Sequence, residues 1–409
     1  MLKTLANSHI LRRLRLIGLF RRLSRSVRGR KRNISASLVI IDDCFPRESS
    51  GFRFQEYDEI LSRIAKSIVL VEVPLVIWNE WNERVDRYCW RSSLGMFFRV
   101  RSLSSLAKLR ANGVYLSFLF LADRFLPLIE KYRLPFVFQL YPGGLFALNE
   151  RASDDMLSKV LSSPFFRGVI VNQDVTADYL RNRFFLKEEN ILNVYGIPYR
   201  PFYQSNGSVV KRGFNVASRD KIVVGFAANK YVIGGRDKGF DIFCSLAADR
   251  DLAEFFEFRC AGGFSREDLP SVLSIQNIGF AGVLSPGELE IWLGEVDIFL
   301  NPVRSGEIKS GAFDGFPTTV SVMALFAGCL LLTSDPENNN RGKFTSGDDI
   351  IILKAEYHSF REVLYDIVKN CEYYQDIRNR GCKKAREYFD FSVQMDLRMN
   401  FLREKLMIL

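Results

Sequence analysis

The sequence predicts an α/β chain of two doubly wound, parallel-sheet domains. Three observations carry this. Short apolar runs alternate with amphipathic stretches along most of the 409 residues. The rhythm breaks once, over Tyr199–Asp220, where Pro201, Asn206, Gly207 and Gly213 leave no periodicity, and then starts afresh. A chain of this length with 47% apolar residues can also fill more than one core.

In the first half, Ser37–Ile41 reads as a strand, followed by a polar loop over 42–53 and a helix near Tyr57–Ser67. Similar units follow: apolar Val69–Trp78, then Val114–Phe120 before a helix near Asp123–Tyr132. Phe136–Leu140 leads into Tyr141, Pro142, Gly143 and Gly144, and Gly168–Val171 precedes a helix near Thr176–Phe184. Strands separated by helices need crossover connections, which make the sheet parallel.

The second half repeats the scheme. Ile222–Phe226, Phe255–Arg259, Ile278–Ala281, Asp297–Leu300 and Leu330–Thr333 are strand candidates, with helices near Phe240–Ala248, Pro286–Gly294 and Thr318–Ala327. Beyond Ile352 the chain is mainly helical through Phe360–Asn370 and Glu372–Tyr388, ending in a helix near Val393–Met407. The predicted organisation is a basic arm over 1–34, a first domain over 35–200, a linker over 201–220 and a second domain over 221–385. A terminal helix over 386–409 is expected to pack back toward the first domain.

Charge is concentrated at one end. Residues 1–33 hold eleven Lys or Arg and no acid, leaving 46 basic against 47 acidic residues for the remainder. A nucleic-acid-binding face needs basic residues spread over a folded surface, so no nucleic-acid partner is expected. Seven cysteines, odd in number and without a C-x-x-C pair, read as reduced and mostly buried thiols. Only His9 and His358 exist, and neither lies near paired cysteines, so no metal site is expected.

No stretch reaches about 18 uninterrupted apolar residues, so no transmembrane span is expected. On a helical wheel of the arm, Leu2, Leu5, Ile10, Leu16, Ile17, Leu19, Phe20, Leu23 and Val27 share one half. Lys3, Arg15, Arg21, Arg22, Arg25 and Arg28 lie on the other half or its edge, while Arg12, Arg13, Leu11 and Leu14 break the pattern. Such a helix can lie in the headgroup layer of an anionic membrane surface, at about 1 kcal/mol per basic residue. An organelle transit peptide and a solvated or body-packed arm are the other readings of the same residues.

In open α/β sheets, ligands bind at the carboxyl ends of strands, where helix N-termini offer free amides to phosphates. Two loops of the second half fit this. Asn229–Gly239 follows the strand Ile222–Phe226 and places Lys230, Arg236 and Lys238 within reach of a diphosphate, which cationic groups there would neutralise. The other loop runs from Asn301 through Arg304, Gly311 and Phe313-Asp314-Gly315-Phe316-Pro317 to a helix opened at Thr318 or Thr319. Either threonine can cap that helix, with the amides of Thr318, Thr319 and Val320 available to an anion.

Lys238-Gly239 opening a helix after the first strand of the second half, and Asp314-Gly315-Phe316-Pro317 followed by Met323-Ala324-Leu325-Phe326-Ala327-Gly328, resemble the retaining glycosyltransferases of family 4. The resemblance covers most of 37–385 and is strongest over 222–339. It implies a GT-B fold: two Rossmann-like domains facing across a cleft, the second binding a nucleotide-sugar donor and the first serving the acceptor. In that family the lysine and a second basic residue upstream hold the donor diphosphate. The acidic motif pairs two carboxylates; here Met323 stands at the second position, where the family's ribose-binding Glu would be, and the first acid is Asp314. On the acceptor side, Ser50 and Gly51 follow the first strand, and Tyr141, Gly143 and Gly144 occupy the place where family members often carry a His.

The resemblance thus implies a metal-independent hexosyltransferase with no cofactor beyond its nucleotide diphosphate-sugar co-substrate. It would act on a glycan or lipid-linked acceptor in surface polysaccharide or glycoconjugate synthesis, in the cytoplasm, with peripheral attachment to the inner membrane face. The expected catalytic residues are Lys238, Asp314 and Arg236. The expected donor contacts are Lys230, Lys238, Gly239, Asn301, Gly315, Phe316, Pro317, Thr318, Thr319, Val320 and Met323. Met323 and the missing His also fit a degenerate fold that binds a glycan or a partner without catalysis. A sugar-nucleotide epimerase, which would need paired acids and usually a His, fits less well.

Overall fold

The computed structural model describes residues 25, 26, 28, 30–48, 51–91, 96, 98–202, 214, 221–270, 275, 277–314 and 316–408. The first half of the chain contributes strands β1 (Arg32–Asp42), β2 (Ile68–Val71), β3 (Val100–Ser102), β4 (Leu106–Ser117), β5 (Phe136–Leu140), β6 (Phe166–Val171) and β7 (Ile191–Asn193). Its helices are α1 (Gly51–Arg63), α2 (Trp78–Arg91), α3 (Leu119–Lys131), α4 (Arg151–Leu161) and α5 (Asp174–Phe184). The strands form one sheet in the order β3-β2-β1-β4-β5-β6-β7, with β1–β2, β1–β4, β2–β3 and β4–β5 all parallel.

The second half contributes β8 (Ile222–Ala228), β9 (Phe256–Gly262), β10 (Ile278–Gly282), β11 (Ile298–Asn301), β12 (Leu330–Thr333) and β13 (Ile351–Ile352). Its helices are α6 (Phe240–Ala248), α7 (Pro286–Gly294), α8 (Thr319–Phe326), α9 (Tyr357–Lys369), α10 (Cys371–Tyr388) and α11 (Phe391–Leu406). The six strands pair in parallel in the order β10-β9-β8-β11-β12-β13. By density of contacts the chain divides into one unit of Met1–Gln139, Lys159–Val169 and Met399–Leu409, and another of Leu140–Ser158 and Ile170–Arg398.

Apolar runs become strands here because both faces of each central strand are covered: Ile298, Phe299 and Leu300 of β11 and Leu330 to Leu332 of β12 are fully buried. Around β8, Phe226 packs on Phe240, Phe243 and Phe264, and the Phe240 and Phe264 rings stack at 4.3 Å between centroids. This aromatic block fixes α6 beneath the carboxyl end of β8, which sets where the preceding loop can run.

Several element bounds differ from the sequence reading. The run Val69–Trp78 is not one strand: β2 stops at Val71, and Trp78 opens α2. Pro74, three residues past the end of β2, precedes the short helical turn Leu75–Ile77, a place that suits a residue without an amide proton. Helix α2 went unread because its aromatic-rich core face, with Trp81, Val85 and Cys89 buried, is sparse and interspersed with charge. The strand expected over Val114–Phe120 runs instead over Leu106–Ser117, and α3 already begins at Leu119, because Phe118 turns the chain with φ of 73°.

Most of the basic arm, 1–24, lies outside the described residues, and so does Val27. Among its described residues, Arg28 is not a headgroup cation: it is fully buried and donates to Asn82 Oδ1 and Asp86 Oδ1, both at 3.0 Å. Arg25 reaches Asp86 Oδ2 at 2.6 Å. The negative side chain that claims them was invisible to a wheel drawn on the arm alone. Among the described residues no helix is long and apolar enough to cross a membrane. All seven cysteines are free thiols, four of them buried.

Candidate active site at the carboxyl end of the second sheet

The loop after β8 is forced into a tight path. Gly234, Gly235 and Gly239 all have positive φ, and a Cβ on Gly239 would lie 2.2 Å from the Pro302 carbonyl oxygen. Glycine is therefore required where this loop passes against the one after β11. Arg304 N donates to the Asp237 carbonyl at 3.0 Å and closes the same contact. The result brings Lys238 to Asp314, 76 positions away in the chain: Lys238 Nζ and Asp314 Oδ2 form an ion pair in close contact.

The lysine side chain is 12% exposed and the aspartate 37%. Asp237 Oδ2 lies 3.9 Å from the same ammonium, and the Tyr231 ring centroid is 5.1 Å from it. Burial alone would disfavour the ammonium, but Asp314, and behind it Asp237, override that and raise the Lys238 pKa. Asp237 is 3% exposed, and neither carboxylate oxygen has a hydrogen bond among the described residues. Burial raises its pKa despite the neighbouring lysine.

The loop that carries Asp314 is held at several points. Gln173 Nε2 donates to the Asp314 carbonyl at 3.0 Å, Leu148 N donates to the Gly311 carbonyl at 2.8 Å, and Lys309 pairs with Glu150 at 3.1 Å. Downstream, Phe316 is fully buried against Phe344, with the rings edge to face at 5.3 Å, and the Phe316–Pro317 bond is cis. Thr318 caps α8: its Oγ1 accepts from Ser321 N at 3.2 Å, and Thr318 N donates to Ser321 Oγ at 2.9 Å. The Thr318 amide is thus already engaged, and among the described residues the amides of Thr319 and Val320 carry no hydrogen bond. Asn301 braces this corner by donating from Nδ2 to Thr333 Oγ1 at 2.9 Å, while its Oδ1 accepts from Thr318 Oγ1 at 3.4 Å.

The other predicted cations are each matched with an acid. Lys230 pairs with Asp268 at 2.7 Å, Arg236 with Glu307 at 3.5 Å, and Arg304 with Asp241 at 2.7 Å. Met323 is 5% exposed within the apolar face of α8. Gly315 and Ser50 lie outside the described residues. Gly51 begins α1, while Gly143 and Gly144 form a turn with positive φ closed by Phe146 N donating to the Gly143 carbonyl at 3.0 Å. Tyr141 is 3% exposed. The structure therefore gathers Lys238, Asp314, Gly239 and the start of α8 in one place and puts Gly51 at a different strand end.

Asp237 and Gln173 were not singled out in the sequence. Asp237 carried a local signal, since an acid between Arg236 and Lys238 at a helix entry must either face solvent or share the lysine's site. Gln173 carried none, because its partner lies 141 positions away.

The two parallel sheets with their flanking helices define the GT-B class of fold. Within it, the chain is similar to HepE of Anabaena, solved with UDP, at 12% identity and a TM-score of 0.63, covering 90% of this chain and 100% of that one. It is also similar to sucrose-phosphate synthase of Thermosynechococcus elongatus, at 11% identity and a TM-score of 0.60, covering 91% and 99%. A third likeness is to the catalytic domain of starch synthase IV of Arabidopsis thaliana, solved with ADP and acarbose, at 8% identity and a TM-score of 0.56, covering 91% and 100%. No protein-family model and no curated protein sequence matches the chain.

Proposed function

We propose that the protein is a glycosyltransferase that takes a sugar from a nucleotide diphosphate-sugar. The observation that carries this reading is the Lys238–Asp314 pair at the carboxyl end of the second sheet, with Gly239 packed on Pro302 and the neighbouring Asn301 in contact with Thr318 at the start of α8. A diphosphate there gains an ammonium and a helix N-terminus, both of which stabilise charge on the departing nucleotide. Asp314 offers a carboxylate to sugar hydroxyls. Solved proteins of the same fold bind UDP, UDP-glucose or ADP, which supports the donor class.

Retention of configuration, independence of metal, a glycan or lipid-linked acceptor, and a role in surface polysaccharide or glycoconjugate synthesis follow from the family 4 resemblance and complete the proposal. Arg236 serves as the second cation for the diphosphate once it leaves its 3.5 Å pairing with Glu307. The basic arm attaches the enzyme to the inner membrane face through the residues ahead of Arg25.

The test is calorimetric titration with UDP, GDP, ADP and dTDP. Lys238→Ala should weaken the preferred nucleotide about 10- to 100-fold, as expected for a lost charge-assisted contact, with the fold intact. Unchanged affinity removes Lys238 from the site. Met323 in place of the family's Glu favours one further reading, a degenerate fold that binds a glycan or a partner without turnover. Incubating each nucleotide-glucose with the enzyme and finding neither transfer nor slow hydrolysis would favour that reading.

A further inference from the structure

Among the described residues, each cation predicted for the donor site already has an acid. Lys230 has Asp268, Arg304 has Asp241, Arg236 has Glu307 and Lys238 has Asp314. An arriving diphosphate therefore competes at each cation with a carboxylate already in contact with it. The pairs differ in how firmly the acid is held. Asp268 also accepts from Ser265 N at 3.0 Å within a capping box, and Asp241 takes two bonds from Arg304, at 2.7 and 2.9 Å. The Asp314 carboxylate has Lys238 as its only partner among the described residues and is 37% exposed, while its backbone is anchored by Gln173.

Lys238 is held differently. With 12% exposure and Asp237 at 3.9 Å on its buried side, the ammonium keeps a counter-charge even when Asp314 turns away. An ammonium has three protons to donate and an ionised carboxylate can only accept. A phosphate oxygen can therefore replace Asp314 on the lysine, and the released carboxylate then needs hydrogen-bond donors. Hydroxyls of the transferred sugar are such donors, and once that sugar is gone the terminal phosphate offers only acceptor oxygens in its place.

Resting on the donor-site reading above, we propose that the donor binds by ion-pair exchange: the diphosphate takes Lys238 from Asp314, and the sugar hydroxyls take the carboxylate so released. Asp314 then senses whether a sugar is still attached. With an intact donor both charged groups gain a partner. With the spent nucleotide, Asp314 competes for Lys238 and speeds departure of the product.

The experiment compares wild type with Asp314→Asn and Asp314→Ala, titrating UDP, GDP, ADP and dTDP and then the glucose, galactose and N-acetylglucosamine conjugates of the base that binds. Both variants should bind the bare nucleotide about tenfold more tightly than wild type, a gain that a merely structural role for Asp314 would not produce. Wild type should prefer a conjugate over the bare nucleotide, and the variants should lose that preference. Equal or weaker nucleotide binding by both variants, with unchanged thermal melting, overturns the exchange. A wild type that binds nucleotide and every conjugate equally overturns the sugar half of it. No binding of any nucleotide by wild type or variants overturns the donor-site reading itself.

Discussion

The first strand of each sheet ends beside an acid–base pair, yet the two pairs differ. At the end of β1, Asp42 Oδ2 accepts from Cys44 N at 2.9 Å and Phe45 N at 2.7 Å, while Oδ1 pairs with Arg53 at 2.9 Å and lies 3.4 Å from the Tyr57 hydroxyl. Asp42 is fully buried, and Arg53 Nη1 also reaches Asp43. Beyond β8, the Asp314 carboxylate has one partner among the described residues and about one third of its side chain is open. A carboxylate with every lone pair occupied is part of the scaffold; one with a single replaceable partner is available for chemistry. The number of competing bonds, more than the presence of opposite charges, separates a structural pair from a functional one.

The strongest way to break this contrast is to remove each acid in turn. Asp42→Ala should cost about 3–5 kcal/mol in urea unfolding, since it leaves the buried Arg53 guanidinium with the partly exposed Asp43 as its remaining carboxylate and two amides without their acceptor. Asp314→Ala should change stability by less than about 1 kcal/mol, as for exposed pairs. Similar losses for both would erase the distinction.

Gly239→Ala tests whether the functional pair depends on the path of its loop. A Cβ would meet the Pro302 carbonyl at 2.2 Å, and the backbone φ is 72°, so a loss of about 1–3 kcal/mol is expected, with weakened nucleotide binding. Thermal melting combined with nucleotide titration reads both effects, and unaltered nucleotide affinity would show that the loop path does not set the position of Lys238.

Asp237→Asn should give a modest effect of the opposite sign. Burial raises the Asp237 pKa, so its protonated form is favoured by folding. The associated stability is present below the ordinary carboxylate value of 3.8 and lost as pH rises through the raised value. At pH 7 the ionised side chain costs stability, and Asp237→Asn should gain on the order of 1 kcal/mol, shrinking as the solution is acidified. A pH-independent loss would mean that the carboxylate holds the loop through Lys238.

The helix start at Thr318 could be read in advance because a cap is local: a threonine, a following serine and an apolar run lie within four positions. The strands Ile222–Ala228 and Leu330–Thr333 were equally legible, being apolar on both faces. The Lys238–Asp314 pairing was not, since no local pattern links two loops on separate strands, and the family motif marked each residue without their contact. The occupied Thr318 amide escaped for a subtler reason: Ser321 can act as donor or acceptor, and only its rotamer decides which backbone groups remain for a ligand. Arg28 was misread because a helical wheel describes a segment without its neighbours, and Asp86 lies 58 positions on.

A Cβ on Gly311 would sit 1.8 Å from the Leu148 carbonyl oxygen, so two backbone segments more than 160 positions apart touch without side chains between them. The acid's place is therefore surveyed from the 145–150 turn as much as from its own strand. Any homologue that lengthens either segment must adjust the other, and a glycine at 311 with matched loop lengths should travel together through descent, even where Asp314 itself is exchanged for glutamate.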